Sequence, residues 1–148
     1  MILYLDTSSL VKLYVEEPGS HDVQRLVDRA EIVGTSAVAY AEAAAALARR
    51  KREKSLTIEE HRLARTGLDA DWPRLLVLDA TEPLARKAGG LAERYALRGF
   101  DAIHLGSYLL LRDEFPQETV SFSSADRILN RAARRAARGR RTRPAKQR

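Results

Sequence analysis

Acidic residues stand at the carboxyl ends of three short apolar segments that are typical of buried strands. Asp6 ends ILYLD, Asp79 ends RLLVLD, and Asp126 follows TVSFSS by two residues. If these segments form one parallel sheet, their carboxyl ends lie at a single edge, where α/β proteins usually bind ligands. Burying an unpaired carboxylate costs several kcal/mol. Each acid therefore needs hydrogen-bond donors or a cation.

Two more acids stand out in segments with helical spacing. Glu42 and Tyr40 are the only polar residues of the alanine-rich stretch 37–48, and Glu42 has no basic residue one turn away. Asp101 precedes the strongly apolar segment AIHLGSYLLL. A lone acid on a helix that otherwise suits close packing is a candidate ligand.

Structural roles can explain each acid taken singly. Asp6, Asp101 and Asp126 could each lie at a helix start, where a carboxylate accepts hydrogen bonds from free N–H groups and opposes the helix dipole. Glu42 could be an ordinary surface glutamate. Asp79 has the weakest functional case, and we expect it to be an N-terminal cap beside Thr81.

Taken together, the acids fit one type of chemistry. Carboxylates brought together from separate strand ends and helix starts form an oxygen-only site of the kind that Mg²⁺ or Mn²⁺ prefers. Such ions can lower the pKa of a water molecule and neutralise charge on a phosphate, and two ions about 4 Å apart act on both sides of the bond that breaks. The pattern therefore favours a Mg²⁺ or Mn²⁺ site, which with phosphate as a co-ligand could orient and activate a water molecule.

Four strands alternate with helices along the chain, which predicts an α/β fold with a parallel sheet covered on both faces. Ser20 is a plausible N-cap, and Thr57 with Glu60 has the spacing of a capping box. The predicted strands are 2–6, 31–36, 74–79 and 119–124, and the predicted helices are 9–17, 21–30, 37–52, 57–72, 81–97, 100–114 and 125–137.

Positive charge is concentrated near the C-terminus. The net charge is +6, but residues 131–148 hold nine of the 26 basic residues and no acid. The first 130 residues keep the other 17 and all 20 acids, which gives them a net charge of −3. Such a basic run is most often solvated and partly disordered, and attraction to nucleic-acid phosphates is the functional alternative. We predict one domain over residues 1–133 and a flexible tail over 134–148.

Several classes of protein are excluded or disfavoured by composition. The chain has no cysteine, which excludes disulfides and thiol chemistry. No apolar run of about 18 residues or signal-peptide pattern occurs, so we expect a cytoplasmic protein that does not span a membrane. The phosphate-binding motifs G-x-x-x-x-G-K-[ST] and G-x-G-x-x-G are also absent.

The remaining polar residues have ordinary interpretations. His104 lies one turn after Asp101 and could reach the site, but a lone histidine on an apolar helix is more often a packing residue. Four basic residues could line a path for RNA, although a solvated surface explains each one alone. These are Lys12, Arg49, Arg50 and Arg98.

Four segments in this order resemble the PIN-domain family of metal-dependent ribonucleases, and most of all its VapC-type toxins. They are YLDTSSL, AYAEAAAAL, RGFDAIHLGSYLL and FSSADRIL, within about residues 1–133. The resemblance implies a three-layer α/β/α sandwich around a parallel sheet of four or five strands. It also implies that the four acids of these segments hold Mg²⁺ or Mn²⁺ and activate water against an RNA phosphodiester: Asp6, Glu42, Asp101 and Asp126.

The resemblance further implies supporting roles for Ser8 and Ser124 beside these acids. It implies a homodimer and a small antitoxin protein that holds the nuclease inactive. The hypothesis is therefore a metal-dependent endoribonuclease that is the toxin of a toxin–antitoxin pair. The alternatives are an RNA-processing nuclease that is not a toxin, and a PIN-like module that binds RNA or a partner without cleaving.

Overall fold

A parallel four-stranded sheet lies between two helical layers in the computed structural model, which describes residues 1–140. The strands are β1 (Ile2–Leu5), β2 (Ile32–Ser36), β3 (Leu76–Leu78) and β4 (Val120–Ser123), in the order β3-β2-β1-β4. The helices are α1 (Thr7–Val11), α2 (Ser20–Arg29), α3 (Val38–Arg52), α4 (Ile58–Asp71), α5 (Glu82–Tyr95), α6 (Gly99–Glu114) and α7 (Arg127–Arg140). The predicted three-layer α/β/α architecture is confirmed.

The central strand β1 supplies both halves of the core. Leu3 and Leu5 pack with residues of α1, α2, α3 and α4, whereas Ile2 and Tyr4 pack with residues of α6 and α7. Successive side chains of a strand point to opposite faces, so an entirely apolar strand fits between two helical layers. All four β1 side chains are buried, and β1 pairs with both β2 and β4.

Helix α6 is the central element of the second layer. Most of its residues from Ala102 to Leu111 are buried. It packs closely on α5, because a Cβ at Gly106 would lie 3.1 Å from the Leu84 Cδ1 atom. No helix within residues 1–140 has both the length and the hydrophobicity needed to cross a membrane.

The region between β1 and α2 differs from the prediction. The predicted helix 9–17 is reduced to the five residues of α1, which starts earlier because the Asp6 carboxylate accepts the Ser9 N–H. Ser20 is not the N-cap of α2; Gly19 is, with a φ of 92°. The Ser20 hydroxyl instead closes the preceding turn by donating to the Val15 carbonyl and accepting from the Glu17 N–H.

Two other helix starts test the capping assignments. The capping box is confirmed, since Thr57 accepts the Glu60 N–H while the Glu60 carboxylate accepts the Thr57 N–H. At α5, the Thr81 hydroxyl accepts the Leu84 N–H. Asp79 is exposed and makes no hydrogen bond to residues 1–140, so the expectation that it caps this helix is wrong.

Helix α7 extends into the predicted tail. It continues through Gly139 to Arg140, and Ala136 is buried in the core, 7% exposed. A glycine near a helix end costs about 1 kcal/mol relative to alanine, which is too little to stop a helix that packs on the sheet. Residues 134–140 are therefore helical. The rest of the predicted tail, residues 141–148, lies outside the described residues, and the four strands found are those within residues 1–140.

Candidate active site

All four acids of the resemblance line one cavity of about 680 Å³ at the carboxyl edge of the sheet. Asp6 and Asp126 follow β1 and β4, which are neighbours in the sheet. Glu42 lies near the start of α3 and Asp101 in the first turn of α6. Asp79 does not line this cavity, because it follows β3, the strand farthest from β4.

The carboxylate of Asp6 is buried and held by three hydrogen bonds. Its Oδ1 atom accepts the Ser8 hydroxyl at 2.7 Å and the Ser9 N–H at 2.9 Å, and its Oδ2 atom accepts the Ser124 hydroxyl. Burial raises the pKa of the Asp6 carboxyl, and the hydrogen bonds from Ser124, Ser8 and Ser9 offset that effect only in part. A cation nearby would favour the ionised form.

The two serines also join the segments that follow β1 and β4. Ser8 donates to Asp6 and accepts the Ala125 N–H at 2.9 Å. Ser124 donates to the same carboxylate and accepts the Asp126 N–H at 3.0 Å. The structure thus places both predicted supporting residues against Asp6, where they set its orientation relative to Asp126.

Glu42 is held by two side chains on other elements. Its Oε1 atom accepts the Thr7 hydroxyl at 2.7 Å and lies 2.8 Å from the His104 Nε2 atom. Partial burial opposes ionisation, but the hydrogen bonds from His104 and Thr7 outweigh it, so the pKa of the Glu42 carboxyl is lowered. Glu42 is therefore a charged residue of the site and not a solvated surface glutamate.

The hydrogen-bond network assigns one tautomer to His104. An ionised carboxylate only accepts, and the Thr7 hydroxyl already donates its proton to Glu42, so the His104 Nε2 atom must carry a proton. In the neutral ring, Nδ1 is then an acceptor, and it lies 2.8 Å from the buried Tyr4 hydroxyl. Tyr4 in the central strand thus orients His104, which orients Glu42.

The other two acids are anchored differently. Asp101 accepts the Arg98 Nε–H through its Oδ2 atom at 2.9 Å. Asp126 caps α7, because its Oδ1 atom accepts the N–H groups of Ile128 at 2.7 Å and Leu129 at 3.2 Å. Capping thus occurs at Asp126, as at Asp6, whereas Asp101 forms an ion pair.

Three of the carboxylates keep one oxygen without a hydrogen bond to residues 1–140: Glu42 Oε2, Asp101 Oδ1 and Asp126 Oδ2. Across the same residues, no three His, Asp or Glu side chains lie close enough to form a complete metal cluster. Mg²⁺ usually keeps several waters and binds one or two carboxylates. The donors fit an ion of that kind, held by few direct ligands.

Basic side chains surround the acids, and three of the four predicted ones line the cavity: Arg49, Arg50 and Arg98. Lys12 does not line the cavity; its ammonium binds Glu17 at 2.9 Å and the Pro18 carbonyl at 2.8 Å. Arg52 also lines the cavity. Arg50 pairs with Glu17 and Arg98 with Asp101, so within residues 1–140 Arg49 and Arg52 are the cavity arginines without an ion pair, and they suit a phosphate backbone.

Thr7 and His104 are site residues whose role sequence reasoning missed. His104 is buried, 2% exposed, as expected of a packing residue, but its ring is hydrogen-bonded to Glu42. The available signal was its position one turn after Asp101. Thr7 had no such signal, because its partner is 35 residues away in the chain.

Comparison with known proteins supplies the family. The model of the PIN domain matches residues 3–135. Ribonuclease VapC45 and Ribonuclease VapC49, both from Mycobacterium tuberculosis (strains CDC 1551 / Oshkosh and ATCC 25618 / H37Rv), are each 37% identical to the chain over 112 residues. That alignment covers 76% of this chain and 78% of each relative.

Solved structures show the same fold. VapC20 from Mycobacterium tuberculosis, a toxin that cleaves the Sarcin-Ricin loop, has a TM-score of 0.64 at 18% identity, covering 88% of this chain and 94% of its own. FitAcB from Neisseria gonorrhoeae has a TM-score of 0.60 at 20% identity, covering 90% and 94%. The match over residues 3–135 and the 37% identity to the two curated ribonucleases show that the chain belongs to the PIN-domain family, among its VapC-type ribonucleases.

Proposed function

We propose that this protein is a Mg²⁺- or Mn²⁺-dependent endoribonuclease that hydrolyses RNA phosphodiester bonds. The observation that carries the proposal is the shared cavity of Asp6, Glu42, Asp101 and Asp126, whose side chains are anchored by neighbouring groups. Relatives with the name ribonuclease support the substrate class. Water is the nucleophile, and no covalent enzyme intermediate forms.

The acids and the arginines of the site have different roles in this proposal. One or two of Glu42, Asp101 and Asp126 would hold the cation directly through a free oxygen, and the other acids, with Asp6, would lie beside it. When bound, the ion lowers the pKa of a water molecule and neutralises charge on the phosphate. Arg49, Arg52 and the other cavity arginines attract the RNA backbone.

The proposal includes a biological role as the toxin of a toxin–antitoxin pair, with a small antitoxin protein as partner and a homodimeric assembly. Induced expression should then arrest growth, and co-expression of the antitoxin should restore it. Cleavage without growth arrest would favour an RNA-processing nuclease that is not a toxin. Light scattering checks the assembly, and the mass of a single chain would contradict the dimer.

Replacing the acids should abolish cleavage without unfolding the protein. Asp101→Asn and Asp6→Asn should each lower kcat/KM on an RNA oligonucleotide by at least the ~100-fold that loss of a group supporting a metal ligand can cost. Mn²⁺ affinity, measured by calorimetry, should fall as well. Asp79→Asn is the matched control, because Asp79 also follows a strand but lies outside the cavity.

The outcome separates enzyme from binding module. Full activity in both Asp101→Asn and Asp6→Asn would remove the assignment. A wild-type protein that binds RNA but neither takes up Mn²⁺ nor cleaves would be the non-catalytic module instead.

The hydrogen bond from Tyr4 to His104 should affect metal binding, although Tyr4 contacts none of the four acids. Without its hydroxyl, His104 can adopt the other tautomer, which turns the Nε2 lone pair toward the Glu42 carboxylate. We expect Tyr4→Phe to weaken Mn²⁺ binding by about 10-fold, in the range found for groups that orient metal ligands. Calorimetry with Mn²⁺ measures the change.

Tyr108→Phe is the control for that variant. Tyr108 packs in the same aromatic cluster, but among residues 1–140 its hydroxyl hydrogen-bonds only to the Val120 carbonyl, at 3.5 Å. Equal Mn²⁺ affinities in Tyr4→Phe and wild type would show that the network does not orient Glu42.

The outer face of α7 is proposed as a contact for the RNA backbone. Arg127, Arg131, Arg134 and Arg138 recur at helical spacing opposite the buried face, and none forms an ion pair within residues 1–140. Some arginines exposed on other helices do have acidic partners, as in the pairs Arg25–Asp22, Arg62–Glu59 and Arg86–Glu82. The charge on α7 is therefore uncompensated.

Neutralising this face should reduce the salt dependence of RNA binding. Each lost contact to single-stranded RNA lowers the slope of log K against log salt by about 0.7, so Arg131→Gln, Arg134→Gln and Arg138→Gln combined should lower it by roughly 2. Fluorescence anisotropy across a salt series measures the slope. Point substitutions avoid deleting the buried Ala136.

A control variant with the same change in net charge combines Arg25→Gln, Arg62→Gln and Arg86→Gln. It should leave the slope near the wild-type value. Equal slopes for both triple variants would mean that only overall charge matters and that α7 is not a binding face.

A further inference from the structure

A second cavity of about 570 Å³ adjoins the acidic one. The two share part of their lining, including Glu42, Arg98 and Asp101. Apart from these residues, the second cavity is an apolar groove between α5 and α6, lined by Ala85, Ala88, Gly89, Ala92, Phe100 and Ile103.

The shape of the groove results from small side chains on α5 that face an aromatic residue on α6. A Cβ added at Gly89 would meet no atom within 4 Å, so the space beside this helix is open. Phe100 is 56% exposed, and it is the only aromatic among the large exposed apolar residues in the part of the chain that the structure describes. It belongs to the lining of both cavities.

We propose that the groove holds a nucleobase of the RNA substrate, next to the phosphate that is cleaved and stacked on Phe100. This inference rests on the proposed ribonuclease function. A phosphate at the four acids puts the adjoining nucleotide at the boundary of the two cavities, where Phe100 and Arg98 stand. Single-stranded RNA is commonly bound by stacking of its splayed bases on aromatic side chains and arginine.

The chemistry of the groove defines what it recognises. Its own lining offers apolar surface and almost no hydrogen-bonding side chains, whereas base identity is read through hydrogen bonds to base edges. The groove therefore holds any base by stacking, with larger bases favoured because they cover more of Phe100. Sequence preference at this nucleotide should be weak, with purines ahead of pyrimidines.

Adjacent glycines of α5 provide a matched test. Gly89 lines the groove and Gly90 does not, yet a Cβ at either position would meet no atom within 4 Å. Gly89→Leu and Gly90→Leu therefore gain similar helix propensity without a steric conflict at the Cβ atom. Only the first fills the groove.

Cleavage of an intact RNA oligonucleotide is compared with that of oligonucleotides that are abasic on either side of the scissile bond. For wild type and Gly90→Leu, one abasic position should lower kcat/KM by roughly 10-fold, as loss of one stacked base does. For Gly89→Leu, kcat/KM on the intact RNA should fall by a similar factor, and an abasic position should not lower it further. Its Mn²⁺ affinity should stay at the wild-type value.

Phe100→Ala and Phe100→Tyr form a second pair of variants. The alanine variant should behave as Gly89→Leu does, and tyrosine should restore discrimination between intact and abasic RNA. Identical behaviour of Gly89→Leu and Gly90→Leu on all oligonucleotides would overturn the proposal. A change in oligomeric mass or antitoxin affinity in Gly89→Leu, with normal cleavage, would assign the groove to a protein partner and also overturn it.

Failure of the nuclease function can be told apart from failure of this inference. If wild type cleaves no RNA with Mn²⁺, the proposed function fails. Anisotropy with Ca²⁺ in place of Mn²⁺ then compares binding of intact and abasic oligonucleotides. A preference for intact RNA that Gly89→Leu removes would support the groove, and no preference would overturn it.

Discussion

A carboxylate held at the buried end of the central strand is the constraint on which the site depends. Asp6 is 4% exposed, and hydrogen bonds from Ser8, Ser9 and Ser124 offset part of the cost of burying its charge. Two of these donors lie beside Asp6 in sequence, and the third follows β4. The same bonds that make the charge tolerable therefore hold the ends of two neighbouring strands together.

At two of these acids a structural role coincides with the proposed chemical role. Asp6 and Asp126 cap α1 and α7, and each cap uses an oxygen on one side of the carboxyl group. Capping fixes the rotamer, so the remaining oxygen has a defined direction. A capping assignment is thus no argument against a metal-binding role, because an anchored ligand loses less entropy when it binds.

Much of the fold could be predicted from patterns among residues that are close together in the sequence. The apolar run of β1 required helices on both faces, and Thr57 with Glu60 marked a helix start by local hydrogen bonds alone. The errors occurred where a side chain had several possible partners. Ser20 closes a turn instead of capping α2, and Thr81 rather than Asp79 caps α5.

The sequence by itself determined the element order, the parallel sheet and the four candidate acids, because these depend on periodicity, on short motifs and on where strands end. Only the tertiary structure decided how the acids are held. The contacts of Glu42 with Thr7 and His104 join residues 35 and 62 positions apart, and no spacing rule reaches so far. The groove beside Phe100 likewise exists only because α5 and α6 pack side by side, leaving open space where Gly89 lacks a side chain.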